Sequence, residues 1–106
     1  MIFELREYDI HPGMMENWLK LMQEHIHPFQ TQHGVAFIAS FVVVDNPNKY
    51  IWIRRYSDQS ERERITNDIY ESAHWKEKIK PLINEMLVKD SVKVTALKAT
   101  DISPIH

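Results

Sequence analysis

The run "VAFIASFVVV", residues 35–44, contains a single non-apolar residue, Ser40, and its β-branched content is high. Such a short β-branched run is a strand. Successive strand side chains point to opposite faces, which sets Val35, Phe37, Ala39, Phe41 and Val43 on one parity and Ala36, Ile38, Val42 and Val44 on the other. Both sets are apolar, so the strand is expected to be buried on both faces.

The remaining periodic segments fall on either side of it. Residues 2–9 alternate as a strand, and His11-Pro12-Gly13 breaks the run. A helix then follows, with Met15, Trp18, Leu19, Met22, Ile26 and Phe29 at a 3.6-residue period; it is expected to end near His27-Pro28 or to fray out by Gly34. Asp45-Asn46-Pro47-Asn48 is a turn, and "YIWIRRYS", residues 50–57, returns as the hairpin partner. Asp58-Gln59-Ser60-Glu61 has the form of a capping box, in which Glu61 reaches back to the amide of Asp58. The helix it opens carries Ile65, Ile69 and Ala73, with Tyr70 beside them. A second helical stretch runs through Trp75, Ile79, Leu82, Ile83, Met86 and Leu87, with a kink or fresh start at Pro81. Residues 91–99 alternate as a last strand. The order β-α-β-β-α-β predicts an α+β, ferredoxin-like domain with an antiparallel four-stranded sheet, spanning residues 1–106 as one unit.

Two helical layers cover only one face of such a sheet. The other face of the 35–44 strand would leave an apolar patch in water, so a second copy is expected on it, in a homodimer or higher homo-oligomer. The alternative is that terminal segments fold over it.

Charge and composition narrow the partners. Thirteen Lys and Arg stand against fifteen Asp and Glu, a formal charge of −2, so there is no basic field for a phosphate backbone and nucleic acid is not expected. Zero cysteines exclude disulfides, thiolate catalysis and Cys-built zinc sites. Met1-Ile2-Phe3-Glu4 opens without a basic region followed by an apolar stretch, and nowhere do 18 apolar residues run together. The expectation is a cytoplasmic protein with no membrane span.

"IFELREYDIHPGMMENWL" resembles the opening signature of NIPSNAP-domain proteins: Glu-Leu-Arg, a Tyr two residues on, and Pro-Gly before the first helix. "RRYSDQSERERI" is similar to the family's strand ending in Arg-Tyr before a capped helix. Trp75 sits where the family has a Trp before its last helix, and "ISPI", residues 102–105, resembles its Ser-Pro ending. The resemblance implies the dimeric α+β barrel superfold, whose members include cofactor-free monooxygenases, haem-degrading and chlorite-cleaving enzymes and small-lactone isomerases. NIPSNAP members in animals are linked to mitochondria and to protein interaction. A fold hosting so many activities does not name one. Where many members place a Trp two residues before the strand's Tyr, this chain has Arg54, with Trp52 two residues earlier. A pocket wall that is usually aromatic is therefore expected to be basic.

Glu4, Arg6 and Tyr8 share one parity of the first strand, and Trp52, Arg54 and Tyr56 share one parity of the third. Neighbouring strands would join them into a polar, aromatic floor with two guanidinium groups, suited to a planar carboxylate or enolate. The competing reading is an ion-pair ladder at a subunit interface. In the ligand reading Arg6 and Arg54 hold the anion, Tyr8, Tyr56 and Trp52 orient the ring or carbonyl, and His25 or Glu4 moves a proton. Arg62, close to Tyr56, is a further binding candidate. His25 is chosen because it lies on the core-facing line of the first helix, three residues after Met22 and four before Phe29, and because small substrates of antibiotic-monooxygenase-type relatives sit between helices and sheet. A satisfied boundary histidine is the competing reading. His25 and His27 face different ways on a helix, the remaining histidines are scattered, and no HxxxH pattern occurs, so no metal site is expected. His25 or His74 as a haem ligand is not demanded by any spacing, and no cofactor is expected. The expected function is a small-ligand-binding homodimer acting as a cofactor-independent monooxygenase or isomerase, with a non-catalytic protein-interaction module as the alternative.

Overall fold

The computed structural model describes residues 1–106. Strands β1 (Ile2–Asp9), β2 (Ala36–Val43), β3 (Asn46–Tyr56) and β4 (Lys93–Leu97) form one antiparallel sheet in the order β2-β3-β1-β4. Helices α1 (Met15–Leu21), α2 (His27–Gln32), α3 (Gln59–Tyr70) and α4 (Lys80–Met86) cover one of its faces. The predicted ferredoxin-like βαββαβ order and the β1–β3 neighbourhood are both present.

Each helical layer is interrupted by a π turn, Met22–Ile26 between α1 and α2 and Trp75–Ile79 before α4. Both turns end just before a proline, Pro28 or Pro81. A proline inside a helix has no N–H for the carbonyl four residues back, and its ring presses on that carbonyl. The wider turn relieves this, because His27 N–H reaches back five residues to Met22 O and Lys80 N–H to Trp75 O. The chain therefore runs on to Gln32 instead of stopping at Pro28, and Gly34, at φ +94°, turns it into β2.

The extra residue in the first π turn rotates all that follows by roughly 100° relative to a plain α-helix. The buried line is thus Trp18, Leu21, Met22, Ile26 and Gln30. His25 is exposed. Its expected place on the core-facing line is corrected by the π turn, which a uniform 3.6 period does not anticipate.

Strand β2 departs from plain alternation as well. Its pairing with β3 jumps between Phe37, opposite Arg54, and Ala39, opposite Ile53, so that Ile38 is the extra residue of a β-bulge. Phe37 and Ser40 consequently share the helix-covered face: Phe37 packs on Trp52 with ring centroids 4.9 Å apart, and Ser40 Oγ lies 2.5 Å from Tyr50 OH. Ala39 and Phe41 stand on the outer face with Ile51 and Ile53. Phe41 is 55 % exposed and Val44 96 %, so the expectation that this strand is buried on both faces is not met within one chain. The C-terminal segment covers one corner of the outer face, where Arg55 Nη1 donates to His106 O at 2.7 Å and Phe3, Ile38, Ile53, Leu97, Ser103 and Ile105 line a shallow hollow.

The cap of α3 is the predicted one with a small shift. Asp58 accepts from Glu61 N–H at 2.8 Å, but the Glu61 carboxylate accepts from Ser57 N–H and Oγ, one residue earlier than a standard capping box.

Candidate functional site

The β1–β3 register sets Glu4 opposite Arg54, Arg6 opposite Trp52, Tyr8 opposite Tyr50 and Ile2 opposite Tyr56. The two polar sets do make one floor, and it lies under the helices. The interface-ladder reading is therefore corrected: these groups face the interior of the chain, because the outer parity carries Phe3, Leu5, Ile51 and Ile53 instead.

At the centre is Glu4, 2 % exposed, whose single carboxylate meets three guanidinium groups. Oε1 accepts from Arg6 Nε at 3.1 Å and from Arg54 through Nε at 3.0 Å and Nη2; Oε2 accepts from Arg62 Nε at 2.6 Å. Burial alone would raise this carboxyl, but the charges of Arg54 and Arg6 and the hydrogen bonds from Arg54 and Arg62 hold it at about 2. A carboxylate so held is a counter-charge and a poor base. One carboxylate against three guanidiniums leaves the cluster two positive charges in excess.

Arg54 is fully buried and commits every nitrogen. Besides Glu4, its Nη1 donates to Gln30 Oε1 at 2.9 Å and to Tyr70 OH at 3.0 Å, and the guanidinium lies 4.8 Å from the Trp52 ring centroid. It is thus a support beneath the floor. The expected basic pocket wall is corrected, since Trp52 forms the wall and Arg54 is drawn under it by Glu4, Gln30 and Tyr70.

A cavity of about 400 Å³ opens between this floor and the helices. Arg6, Tyr8 and Trp52 line it from the sheet; Trp18, Met22, Ile26, Gln30, Tyr70, Trp75, Ile83 and Leu87 line it from the helical layer and its ends; Glu71, Lys76, Lys80 and Asn84 stand among its polar lining. Tyr8 is the hub of an aromatic cluster, with ring centroids 5.7 Å from Trp18, 6.2 Å from Trp52 and 6.3 Å from Tyr50. Burial raises the pKa of its phenol, against the pull of Arg6, so it stays protonated. Arg6 donates through Nη1 to Tyr8 OH at 3.3 Å and lies 5.8 Å from the Tyr70 ring centroid. Among the lining residues, the buried donors Gln30 Nε2, Trp18 Nε1 and Trp52 Nε1 have no protein partner. Buried donors are normally paired, but these three are closed in by packing and present no accessible surface to the cavity.

Of the residues selected from sequence, Arg6, Tyr8 and Trp52 line the cavity. Glu4 and Arg54 lie behind it. Tyr56 is buried beside Arg54, 5.6 Å from ring centroid to guanidinium. Arg62 opens with Glu4 and Arg6 onto a separate shallow groove of about 420 Å³ bounded by α3 and Val94. His25 is on the outside, and His74 packs on Phe29 at 4.7 Å between centroids. Gln30 and Tyr70 were missed as site residues. Gln30 left a signal, being a polar residue four positions after Ile26 and eight after Met22 on the apolar line; Tyr70 left one in lying beside Ile69.

The family model for NIPSNAP matches residues 3–104. A NIPSNAP family protein of Agrobacterium tumefaciens is 28 % identical and superposes with a TM-score of 0.87, covering 99 % of this chain and 98 % of that one. A NIPSNAP domain protein of Burkholderia xenovorans is 21 % identical with a TM-score of 0.86, over 98 % and 99 % of the two chains. An antibiotic biosynthesis monooxygenase shares the fold more distantly, with a TM-score of 0.68 and 20 % identity over 94 % of this chain and 99 % of that one. No curated protein matches the chain. With a family model spanning nearly its whole length, and relatives that superpose along it from end to end, the chain belongs to the NIPSNAP family.

Proposed function

We propose that this protein is a cytoplasmic homodimer that binds a small organic molecule in the cavity between sheet and helices of each subunit, and that its reaction is a cofactor-independent isomerisation or oxygenation. The observation that carries this is a cavity of about 400 Å³ whose largely aromatic and aliphatic lining is joined by Arg6 and Tyr8 from the sheet. An apolar, aromatic wall receives the body of the ligand, and Arg6 and Tyr8 receive its oxygen atoms. The reaction class is taken by analogy of fold alone, from the fold shared with an antibiotic biosynthesis monooxygenase. Neither the exposed His25 nor the triply paired Glu4 stands at the cavity, so the groups that handle a proton are the Tyr8 and Tyr70 hydroxyls. A non-catalytic interaction module would have closed these groups upon one another with no space between them. Glu4 is closed in that way, but the cavity beside it is not.

The test is a panel of small carbonyl, phenolic and carboxylic compounds, read by thermal shift and by quenching of the cavity tryptophans Trp18, Trp52 and Trp75. Binding by the native protein and its loss in Ile83→Trp, which fills the cavity, is the expected result. A panel that neither stabilises nor quenches would sink the reading.

A further inference from the structure

We propose that the groove bounded by α3 and Val94 is a second ligand site, separate from the cavity, which binds the oxyanion of a small polar molecule, a phosphate or carboxylate group, between Arg6 and Arg62.

Glu4 fixes these two arginines side by side. Arg6 Nε donates to its Oε1 at 3.1 Å and Arg62 Nε to its Oε2 at 2.6 Å, so the guanidiniums flank one carboxylate, close enough for a second oxyanion to bridge them. Neither arginine is used up. Arg6 Nη1 donates to Tyr8 OH at 3.3 Å and Arg62 Nη1 to Gln59 Oε1 at 3.3 Å, which leaves each Nη2 without a protein acceptor. Unlike the indole and amide donors sealed beside the cavity, neither Nη2 is closed in: the two side chains are 13 % and 21 % exposed, and both line the groove. In the planar guanidinium fork, Nε and Nη2 share one edge. The free Nη2 of Arg6 is therefore on the edge turned to Glu4, which lines the groove and not the cavity. Its Nη1 is on the edge turned to Tyr8, which lines the cavity and not the groove.

Charge and lining favour the same ligand. Arg54, fully buried, adds a third guanidinium to the one carboxylate of Glu4. The other charged residue of the groove is Glu63, which is exposed and accepts from Gln59 Nε2 at 3.1 Å. One positive charge is left over. Gln59, Thr66 and Asn67 are neutral hydrogen-bonding groups, and Val94 is the single apolar residue of the lining, so a ligand with a large apolar body has nothing to bury against. The groove thus suits a small polar anion, in contrast to the aromatic cavity that Arg6 also lines.

Inorganic phosphate and acetate are the probes, titrated by calorimetry and thermal shift against chloride at equal ionic strength. Saturable binding of at least one, beyond the effect of chloride, is expected; tighter phosphate assigns a phosphate ester, tighter acetate a carboxylate. Arg62→Gln should weaken binding about tenfold or more, the range for a lost hydrogen bond between charged groups. Arg64→Gln removes the same charge from an exposed position of α3 outside the groove and should leave binding unchanged. So should Ile83→Trp, which fills the cavity. Shifts no larger than those of chloride, equal losses in Arg62→Gln and Arg64→Gln, or loss of anion binding in Ile83→Trp would each overturn the inference. Should Arg62→Gln not fold, Asn67→Asp decides, because it sets a negative charge in the groove without removing a partner of Glu4: weakened anion binding supports the site, and unchanged affinity overturns it.

Discussion

At the scale of the residue, Glu4 is the group on which the polar floor depends. Removing its charge leaves three guanidiniums facing one another in a buried space, and breaking a buried pair from one side costs about 3–5 kcal/mol. Glu4→Gln should therefore lower the unfolding free energy by that amount at neutral pH, measured by urea denaturation. The carboxyl also ties stability to pH. It titrates near 4.5 when unfolded and at about 2 when folded. A depressed folded value means that the stabilisation is complete above the unfolded value and is lost as pH falls through the interval toward 2. The span is worth about 3 kcal/mol. Urea titrations at successive pH values between 5 and 2 should show the native protein weakening by that order, with a flatter profile in Glu4→Gln; parallel profiles would remove Glu4 as the cause.

At the scale of the element, backbone irregularities decide which side chains reach the site. The strand parities of Glu4, Arg6, Tyr8, Trp52, Arg54 and Tyr56 were legible from alternation alone, because β1 and the inner half of β3 are regular and pair without a slip. His25 was misplaced because a π turn shifts helical phase and a 3.6-residue period carries no sign of it, whereas the four-residue spacing of Gln30 from Ile26 was open to reading. Proline two residues beyond each turn is the available signal, and it appears twice, at Pro28 and Pro81. The bulge at Ile38 likewise exchanged the parities of β2, with no glycine to announce it. Tyr70 reaches Arg54 across 16 residues of sequence, a tertiary contact that no local pattern encodes. The α2–β2 junction offers a clean test of backbone constraint. At Gly34, φ +94°, an added Cβ would meet only Ile65 Cδ1 at 3.4 Å, an ordinary contact. At Gly13, φ +82°, it would meet nothing. The cost of either Gly→Ala change is therefore the left-handed backbone itself, about 1–2 kcal/mol. Thermal melts should show Gly34→Ala and Gly13→Ala losing similar amounts, and a much larger loss at Gly34 would mean that α3 packs more tightly on this turn than the 3.4 Å spacing allows.

At the scale of the whole molecule, the outer sheet face is the surface still to be accounted for. Leu5, Ile51, Ile53 and Phe41 are adjacent across β1, β3 and β2, and Leu97 of β4 extends the patch. Charged groups border it, with Glu7 and Lys93 paired at 3.9 Å on one side and Arg55 held to the C-terminal segment on another. An apolar centre inside a charged rim is the anatomy of a protein interface. The C-terminal segment takes the corner near Phe3 and leaves Phe41 55 % exposed, so a terminal fold-over covers only part of this face. A second copy, meeting the first about a two-fold axis, satisfies both apolar surfaces at once and leaves each cavity untouched on the opposite side of its sheet. Sedimentation at micromolar concentration should accordingly give a dimer. Ile53→Asp places a charge between Leu5 and Ala39, in the middle of the apolar face, where it would have to be desolvated at the interface but is solvated in a free subunit. It should yield a monomer that still binds cavity ligands, because Ile53 and the cavity lie on opposite faces of the sheet. A native protein that sediments as a monomer, or an Ile53→Asp variant that remains dimeric, would assign this face to something other than a second copy.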